Sequence, residues 1–341
     1  MPWRSIRGHD RVVAGLRDAL AQGRFPHAFL FVGPEGVGKR SFARTMAQGL
    51  LCERHPEADL DPCGACPSCL QVEAGTHPDL LSVARPEERH ELPIQVIRDL
   101  CLELGLKPMA GTRRIAIVDD ADDLSEEAAN AFLKTLEEPP PGSVLVLIGT
   151  APELQLETVV SRCRVVRFEP LPEAELASLL LEQGIAADPA EAKRQALLGQ
   201  GSVARARGLA DKGLNAFRRS LLDEVAAPGG FDPPALARKL ESFINDAGKE
   251  SVDRRARASL LMGELAGFFR GVLWQASGLA PPSSDPDDRR AVADIAGRLD
   301  PEAVFVLADR CLEADLHVRR KAYLPPVLDA LTHDLGKLIN R

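Results

Sequence analysis

Two groups of residues in this chain have the types and spacing to do chemistry. The first is Gly33-Pro34-Glu35-Gly36-Val37-Gly38-Lys39. Its glycines let a backbone wrap an anion with N–H groups, and its lysine can reach the outer phosphates of a nucleotide. Gly33, Gly36, Gly38 and Lys39, followed by Arg40 and Ser41, are the candidate nucleotide-binding residues. A phosphate-loop hydrolase carries Ser or Thr directly after the lysine, so that a hydroxyl meets Mg²⁺. Arg40 stands at that place and Ser41 falls one position late. Asp119-Asp120, after the apolar run Ile115-Ala116-Ile117-Val118, would supply the metal-holding carboxylate and the group that polarises the attacking water. That second group is ordinarily a glutamate. Asp120 is one methylene shorter, a displacement that costs orders of magnitude when a base must meet a water in line. Thr150, after another apolar run, is placed to contact a γ-phosphate or its water. A tight turn that has lost its nucleotide chemistry and an acidic turn capping a helix are the alternative readings, so ATP or ADP with Mg²⁺ is left open as a cofactor.

The second group is Cys52, Cys63, Cys66 and Cys69, a Cys-x10-Cys-x2-Cys-x2-Cys array. Four thiolates suffice for a closed tetrahedral zinc site, and Gly64 and Pro67 suit the sharp turns that bring close thiolates onto one ion. With no open position for water, such a site contributes folding energy and does no catalysis. Iron–sulfur ligation and unrelated reduced cysteines are the alternatives. His55 and His77 flank the array and exceed what four ligands need.

The elements that must hold these residues follow from the apolar pattern. Phe29 to Val32 reads as a buried strand running into the glycine-rich loop, and SFARTMAQGLL as the helix after it. Residues 3–22 read as an amphipathic helix through Val12, Val13, Leu16 and Leu20, and His27 as a packed or capping residue. Residues 79–84, Ile115 to Val118, Val144 to Ile148 and Val165 to Phe168 supply the other strands. Ile94, Ile97, Leu100, Cys101 and Leu104 share one helical face. Asp123-Leu124-Ser125-Glu126 resembles a capping box before the helix EEAANAFLKTLEE. Short helices follow from Glu173 to about Ala210. Beyond residue 211 the pattern is helical, with a surface loop at 277–289 and Phe268, Phe269 and Trp274 as core aromatics.

Composition bounds the reading. The 341 residues give room for two or three domains, and 45% apolar against 27% charged residues is ordinary for a folded soluble chain. A formal charge of -8 repels a phosphate backbone, which argues against tight solitary DNA binding. The first residues lack the apolar core of a signal peptide and no membrane-length apolar run follows, so a cytoplasmic, non-membrane protein is expected.

Gly8, His27-Ala28-Phe29-Leu30-Phe31, the phosphate loop, the four cysteines, His77-Pro78-Asp79, VDDAD at 118–122, AFLKTLEEPP at 131–140 and Ser161-Arg162-Cys163 together resemble the bacterial DNA polymerase III clamp-loader delta-prime subunits of the AAA+ superfamily. The resemblance implies an α/β AAA+ module at 1–170, with a five-stranded parallel sheet flanked by helices and a zinc module at 52–69. It also implies a helical lid at 171–210 and an all-α collar at 211–341. The implied partners are tau/gamma and delta subunits, a sliding clamp, and primer-template DNA met through the assembly. Residue by residue, Arg162 becomes an arginine finger reaching a neighbouring subunit's nucleotide, Asp119 and Asp120 a degenerate carboxylate motif, Thr150 a sensor-like residue, and Arg205 a nucleotide-binding residue. Arg40 and Asp120 depart from the related tau/gamma ATPase pattern. The resemblance therefore implies weak or absent ATPase activity in a subunit that is not itself a polymerase. An active tau/gamma-like motor and a stand-alone zinc-stabilised nucleotide-binding scaffold are the competing readings.

Overall fold

The computed structural model describes residues 3, 6–86, 89, 91–248, 251–280 and 288–340, and the expected surface loop at 277–289 lies largely outside them. The chain divides into two compact units, Met1–Glu175 and Leu176–Arg341.

The first unit is built on five parallel strands, β1 (Ala28–Val32), β2 (Leu80–Val83), β3 (Arg114–Val118), β4 (Ser143–Ile148) and β5 (Arg164–Arg167), in the order β2-β3-β4-β1-β5. The three central strands are buried along their whole length, which is why they read as apolar runs. Alternate side chains serve opposite faces. Phe29, Phe31, Ile115, Ile117, Val144 and Val146 enter one core with Val13 and Leu16 of α1 (Asp10–Ala21) and Phe42 and Met46 of α2 (Lys39–Leu50). Leu30, Val32, Ala116, Val118, Leu145 and Leu147 enter a second core on the other face. They meet Ile97 and Leu100 of α4 (Ile94–Leu104) and Phe132 and Leu136 of α5 (Glu126–Glu137) there. The short α3 (Pro67–Ala74) lies between α2 and β2 in the chain, and α6 (Glu157–Val160) precedes β5. β5 is an edge strand whose Val165 and Val166 are half-buried and whose Arg164 and Arg167 are exposed.

Three local expectations are corrected. The first helix begins at Asp10, because Gly8 adopts a left-handed φ of 76° that no helix interior accommodates. The start of α5 is capped by Ser125 alone, whose Oγ accepts from the Ala128 N–H at 3.1 Å, while Asp123 pairs with Arg85. The fifth strand ends at Arg167, and Phe168 turns away after donating its N–H to the Val32 carbonyl.

The second unit is helical: the end of α7 (Glu173–Glu182), then α8 (Pro189–Gly199), α9 (Val203–Leu209), α10 (Lys212–Ala226), α11 (Pro233–Asn245), α12 (Ser251–Ala276), α13 (Arg289–Ala296), α14 (Pro301–Arg319) and α15 (Leu324–Ile339). One core runs from Leu198 and Leu209 through Phe268 and Phe269 to Ile339. Trp274 is not a core aromatic. It is 37% exposed near the end of α12.

Candidate nucleotide site and metal centre

The C-terminal ends of β1, β3 and β4 converge, the place where open parallel sheets hold ligands. β1 runs into the loop 33–38, and Gly38 at a φ of 99° is the N-cap of α2. A side chain at Gly33 would put its Cβ 2.2 Å from the Phe168 carbonyl oxygen, so only glycine lets the loop leave the strand there. Among the described residues, the backbone N–H groups of Gly36, Val37, Gly38, Lys39 and Arg40 have no hydrogen-bond partner, which leaves a run of donors at a helix start. His9, a residue to which the motif drew no attention, is buried with Nε2 3.0 Å from the Val37 carbonyl oxygen and braces the loop from below.

Lys39 is buried, and its Nζ donates to the carbonyls of Gly33 at 2.5 Å and Pro34 at 2.7 Å. Burial pushes its pKa down, against the opposing fields of Glu35, Asp122 and Asp119. Arg40 is exposed and turns its Nε to Asp119 Oδ2 at 3.3 Å. Burial, followed by the neighbouring Asp120 charge, raises the Asp119 pKa, and Arg40 draws it down. Asp120 itself is exposed, in a left-handed turn with φ 55°. Ser41 is exposed on α2.

Asp122 organises this end of the sheet, although the sequence offered it only as part of an acidic run. Its Oδ2 accepts from the Thr150 N–H and Oγ1–H, both at 2.7 Å, and its Oδ1 from Gln155 Nε2 at 2.8 Å. Gly149 makes room for that carboxylate, since a Cβ there would lie 2.3 Å from Asp122 Oδ1. Thr150 is therefore held at the end of β4 with its hydroxyl committed to Asp122. Arg162 follows α6 and is gripped within its own chain. Nη1 donates to the Thr158 carbonyl at 2.9 Å and Nη2 to Glu137 Oε1 at 2.5 Å. His27 does cap, as expected, with Nε2 3.0 Å from the Leu136 carbonyl at the end of α5.

Arg205 belongs to the second unit. Its Nη2 donates to Glu264 Oε1 at 2.6 Å, and the other oxygen of Glu264 accepts from Arg218 Nε at 2.6 Å. Arg218 extends the chain of charges to Asp288. This network of nearly buried groups ties α9 and α10 to α12.

The four cysteines come together. All four Sγ atoms lie within 4.8 Å of one another, close to the ~3.8 Å edge of a tetrahedron with Zn–S bonds of ~2.3 Å. Cys52 leaves the end of α2, Cys63 and Cys66 sit on the turn, and Cys69 lies in α3. Pro67 occupies the first turn of α3, and the Cys66 thiol accepts from the Cys69 N–H at 3.4 Å. The Ala65 N–H above all, with Cys66 adding to it, lowers the Cys63 pKa to about 6, whereas burial raises that of Cys69. This is a structural four-cysteine site capable of coordinating a zinc ion. His77 stands outside it, with Nδ1 accepting from the Asp79 N–H at 3.1 Å and Nε2 3.0 Å from Ser68 Oγ. His55 contacts the Asp61 carbonyl instead.

A phosphate-loop α/β unit with a four-cysteine module and an all-helical second unit defines an AAA+-like class of protein. Residues 8–172 match the family model described as DNA polymerase III, delta subunit. The Escherichia coli DNA polymerase III subunit tau is 30% identical over 277 residues, 80% of this chain and 41% of the relative. The delta-prime subunit of Pseudomonas aeruginosa is 39% identical over 202 residues, 58% of this chain and 60% of the relative. That of Bacillus subtilis is 33% identical over 177 residues, 51% and 52% respectively. These similarities support a bacterial DNA polymerase III clamp-loader-related subunit of the tau/gamma/delta-prime kind. The chain spans less than two thirds of the length of each of these relatives. Among the described residues, no helix is long and apolar enough to cross a membrane.

Proposed function

We propose that this chain is a delta-prime-like clamp-loader subunit with little or no ATPase activity of its own, which lends Arg162 to the nucleotide of a neighbouring ATPase subunit while the assembly opens a sliding clamp on primed DNA. In this reading residues 1–170 are the AAA+ module, 171–210 the lid and 211–341 the collar that meets tau/gamma and delta subunits. The Arg40–Asp119 ion pair carries the proposal. A guanidinium sits against the carboxylate that a hydrolase keeps for its metal, and Asp120 is too short to take the place of the water-positioning glutamate. Arg162 has a different character, being half-exposed and held at its tip by the exposed Glu137, a pairing that a neighbour's phosphate can outcompete. A guanidinium beside a γ-phosphate stabilises the charge of phosphoryl transfer, and such groups are worth roughly 10³ to 10⁵ in rate elsewhere.

The test is turnover of ATP by the isolated chain and by the reconstituted complex, with and without Arg162→Ala. The expected result is negligible turnover by the chain alone, and a loss of DNA- and clamp-stimulated turnover in the mutant complex with the stability of this chain nearly unchanged. Turnover by the isolated chain at the rate of the complex would replace this reading with a tau-like motor, which the 80% coverage of this chain by the tau match favours. Wild-type loading by the mutant complex would reduce Arg162 to a surface arginine.

A further inference from the structure

Phosphate-loop proteins hold Mg²⁺ between a hydroxyl that follows the loop lysine and a carboxylate at the end of a neighbouring strand. The residues present here do not fit that ion. Mg²⁺ requires oxygen ligands at about 2.0–2.1 Å in an octahedron, and a guanidinium carries only donors and a positive charge. Arg40 occupies the hydroxyl's place, and its Nε lies 3.3 Å from Asp119 Oδ2, the oxygen a metal or its water would need. Ser41 is no substitute, because the next residue of an α-helix is rotated about 100° around the axis.

The same site keeps what an anion needs. The five N–H groups from Gly36 to Arg40 have no partner among the described residues, and the Lys39 ammonium is satisfied by loop carbonyls that an entering phosphate can displace. The two terminal nitrogens of Arg40 likewise have no hydrogen-bond partner among the described residues. A guanidinium whose Nε faces a carboxylate presents its other edge, two parallel donors, to whatever lies beyond. That edge matches phosphate in a bidentate manner.

Resting on the reading of a non-hydrolysing subunit, we infer that Arg40 serves as a built-in replacement for the divalent cation, bridging Asp119 to the phosphates of a nucleoside di- or triphosphate that binds as the metal-free anion. The charge count is one short of a metal site, where the two charges of the ion add to that of the lysine. Here Lys39 and Arg40 supply two positive charges, and the geometry of the free Arg40 edge, not an equal charge, carries the replacement. Mg²⁺ in solution then works against binding, because it neutralises the free nucleotide and its complex meets a cation where it needs a ligand.

Equilibrium binding of ADP and of ATP to the full chain by isothermal calorimetry, in EDTA and in millimolar Mg²⁺, tests the inference. The wild-type chain is expected to bind in EDTA at least as tightly as in Mg²⁺. Arg40→Ser, which restores a hydroxyl, is expected to bind about tenfold or more weakly in EDTA and to regain affinity when Mg²⁺ is added. Arg40→Lys, which keeps the charge and loses the fork, is expected to bind more weakly than the wild type and, like it, no more tightly in Mg²⁺ than in EDTA. Wild-type binding that requires Mg²⁺, or an absence of binding in both buffers, overturns the inference. The wild-type measurement decides this even if a variant misfolds. Reconstituted clamp loading separates the two levels. If loading proceeds with this chain while nucleotide binding is absent or metal-dependent, the inference falls and the loader role stands. If the isolated chain hydrolyses Mg-ATP, both fall.

Discussion

Replacing Glu264 by glutamine removes one negative charge from a chain of four ionic groups in the second unit. Glu264 is 3% exposed and accepts from two guanidinium groups, Arg205 at 23% exposure and Arg218 at 5%. A glutamine keeps the volume but offers one acceptor oxygen, and it turns an N–H₂ group toward an arginine donor. Breaking a buried ion pair from one side costs about 3–5 kcal/mol, since the remaining charge stays buried. Arg218 retains Asp288, and Arg205 is partly solvated, so its share is screened. The expected loss is therefore near the low end, about 3 kcal/mol, equivalent to about 6–12 °C in the melting temperature of a unit this size. Urea unfolding followed by Trp274 fluorescence in a Trp3→Phe background reads the second unit alone. Arg205→Met, at the solvated end of the same network, is expected to cost about 1 kcal/mol. If Glu264→Gln loses no more than Arg205→Met, the burial-based reasoning is wrong and the network is merely a surface feature.

Gly33→Ala places a methyl 2.2 Å from the Phe168 carbonyl oxygen at a φ of 145°, and is expected to destabilise the first unit by more than about 2 kcal/mol in urea titrations. Elemental analysis of protein purified without chelator should return about one zinc per chain. Cys66→Ser or chelation should raise protease sensitivity between residues 52 and 69 while far-UV dichroism retains the sheet. Asp122→Ala removes three hydrogen bonds to a carboxylate and should cost about 2–4 kcal/mol, with faster amide exchange at Thr150 as its local signature. Burial lowers the His77 pKa, so the folded state favours the neutral ring whose Nδ1 accepts from Asp79. The stability this confers is present above the unfolded pKa of about 6.5. It is lost as pH falls through that value toward the lower folded pKa. His77→Gln should flatten that part of the stability profile.

The central sheet could be read from the chain because β1, β3 and β4 are buried on both faces, and strands of that kind read as apolar runs, here interrupted only by Arg114 and Ser143 at the starts of β3 and β4. The loop and the cysteines were equally legible, since both depend on short spacings along one segment. What could not be read were partnerships between distant segments. Nothing near Glu137 announces that it will hold Arg162, and Asp122 owes its importance to Thr150, brought beside it by the β3–β4 pairing. Arg40 was recognisable as a departure, but its engagement with Asp119 requires two strand ends to meet. The exposure of Trp274 is illegible for another reason. The last turns of α12, AGFFRGVLWQA, carry apolar residues on more than one face, so periodicity does not say which face is covered.

The outer edge of β5 has a consequence for how this chain survives its own synthesis. A parallel strand at a sheet margin exposes a ladder of unsatisfied backbone groups, and Val165-Val166 is the sort of dipeptide on which a second nascent chain could nucleate. The strand is only four residues long and carries an exposed arginine at each end. Two copies stacked edge to edge, in register or antiparallel, would bring like charges together at both ends of the pairing, where no counter-ion is built in. By this charge argument the two arginines disfavour edge-to-edge pairing of two copies at this margin. Arg164→Val with Arg167→Val would lengthen the apolar run into Phe168 and convert a guarded margin into an adhesive one.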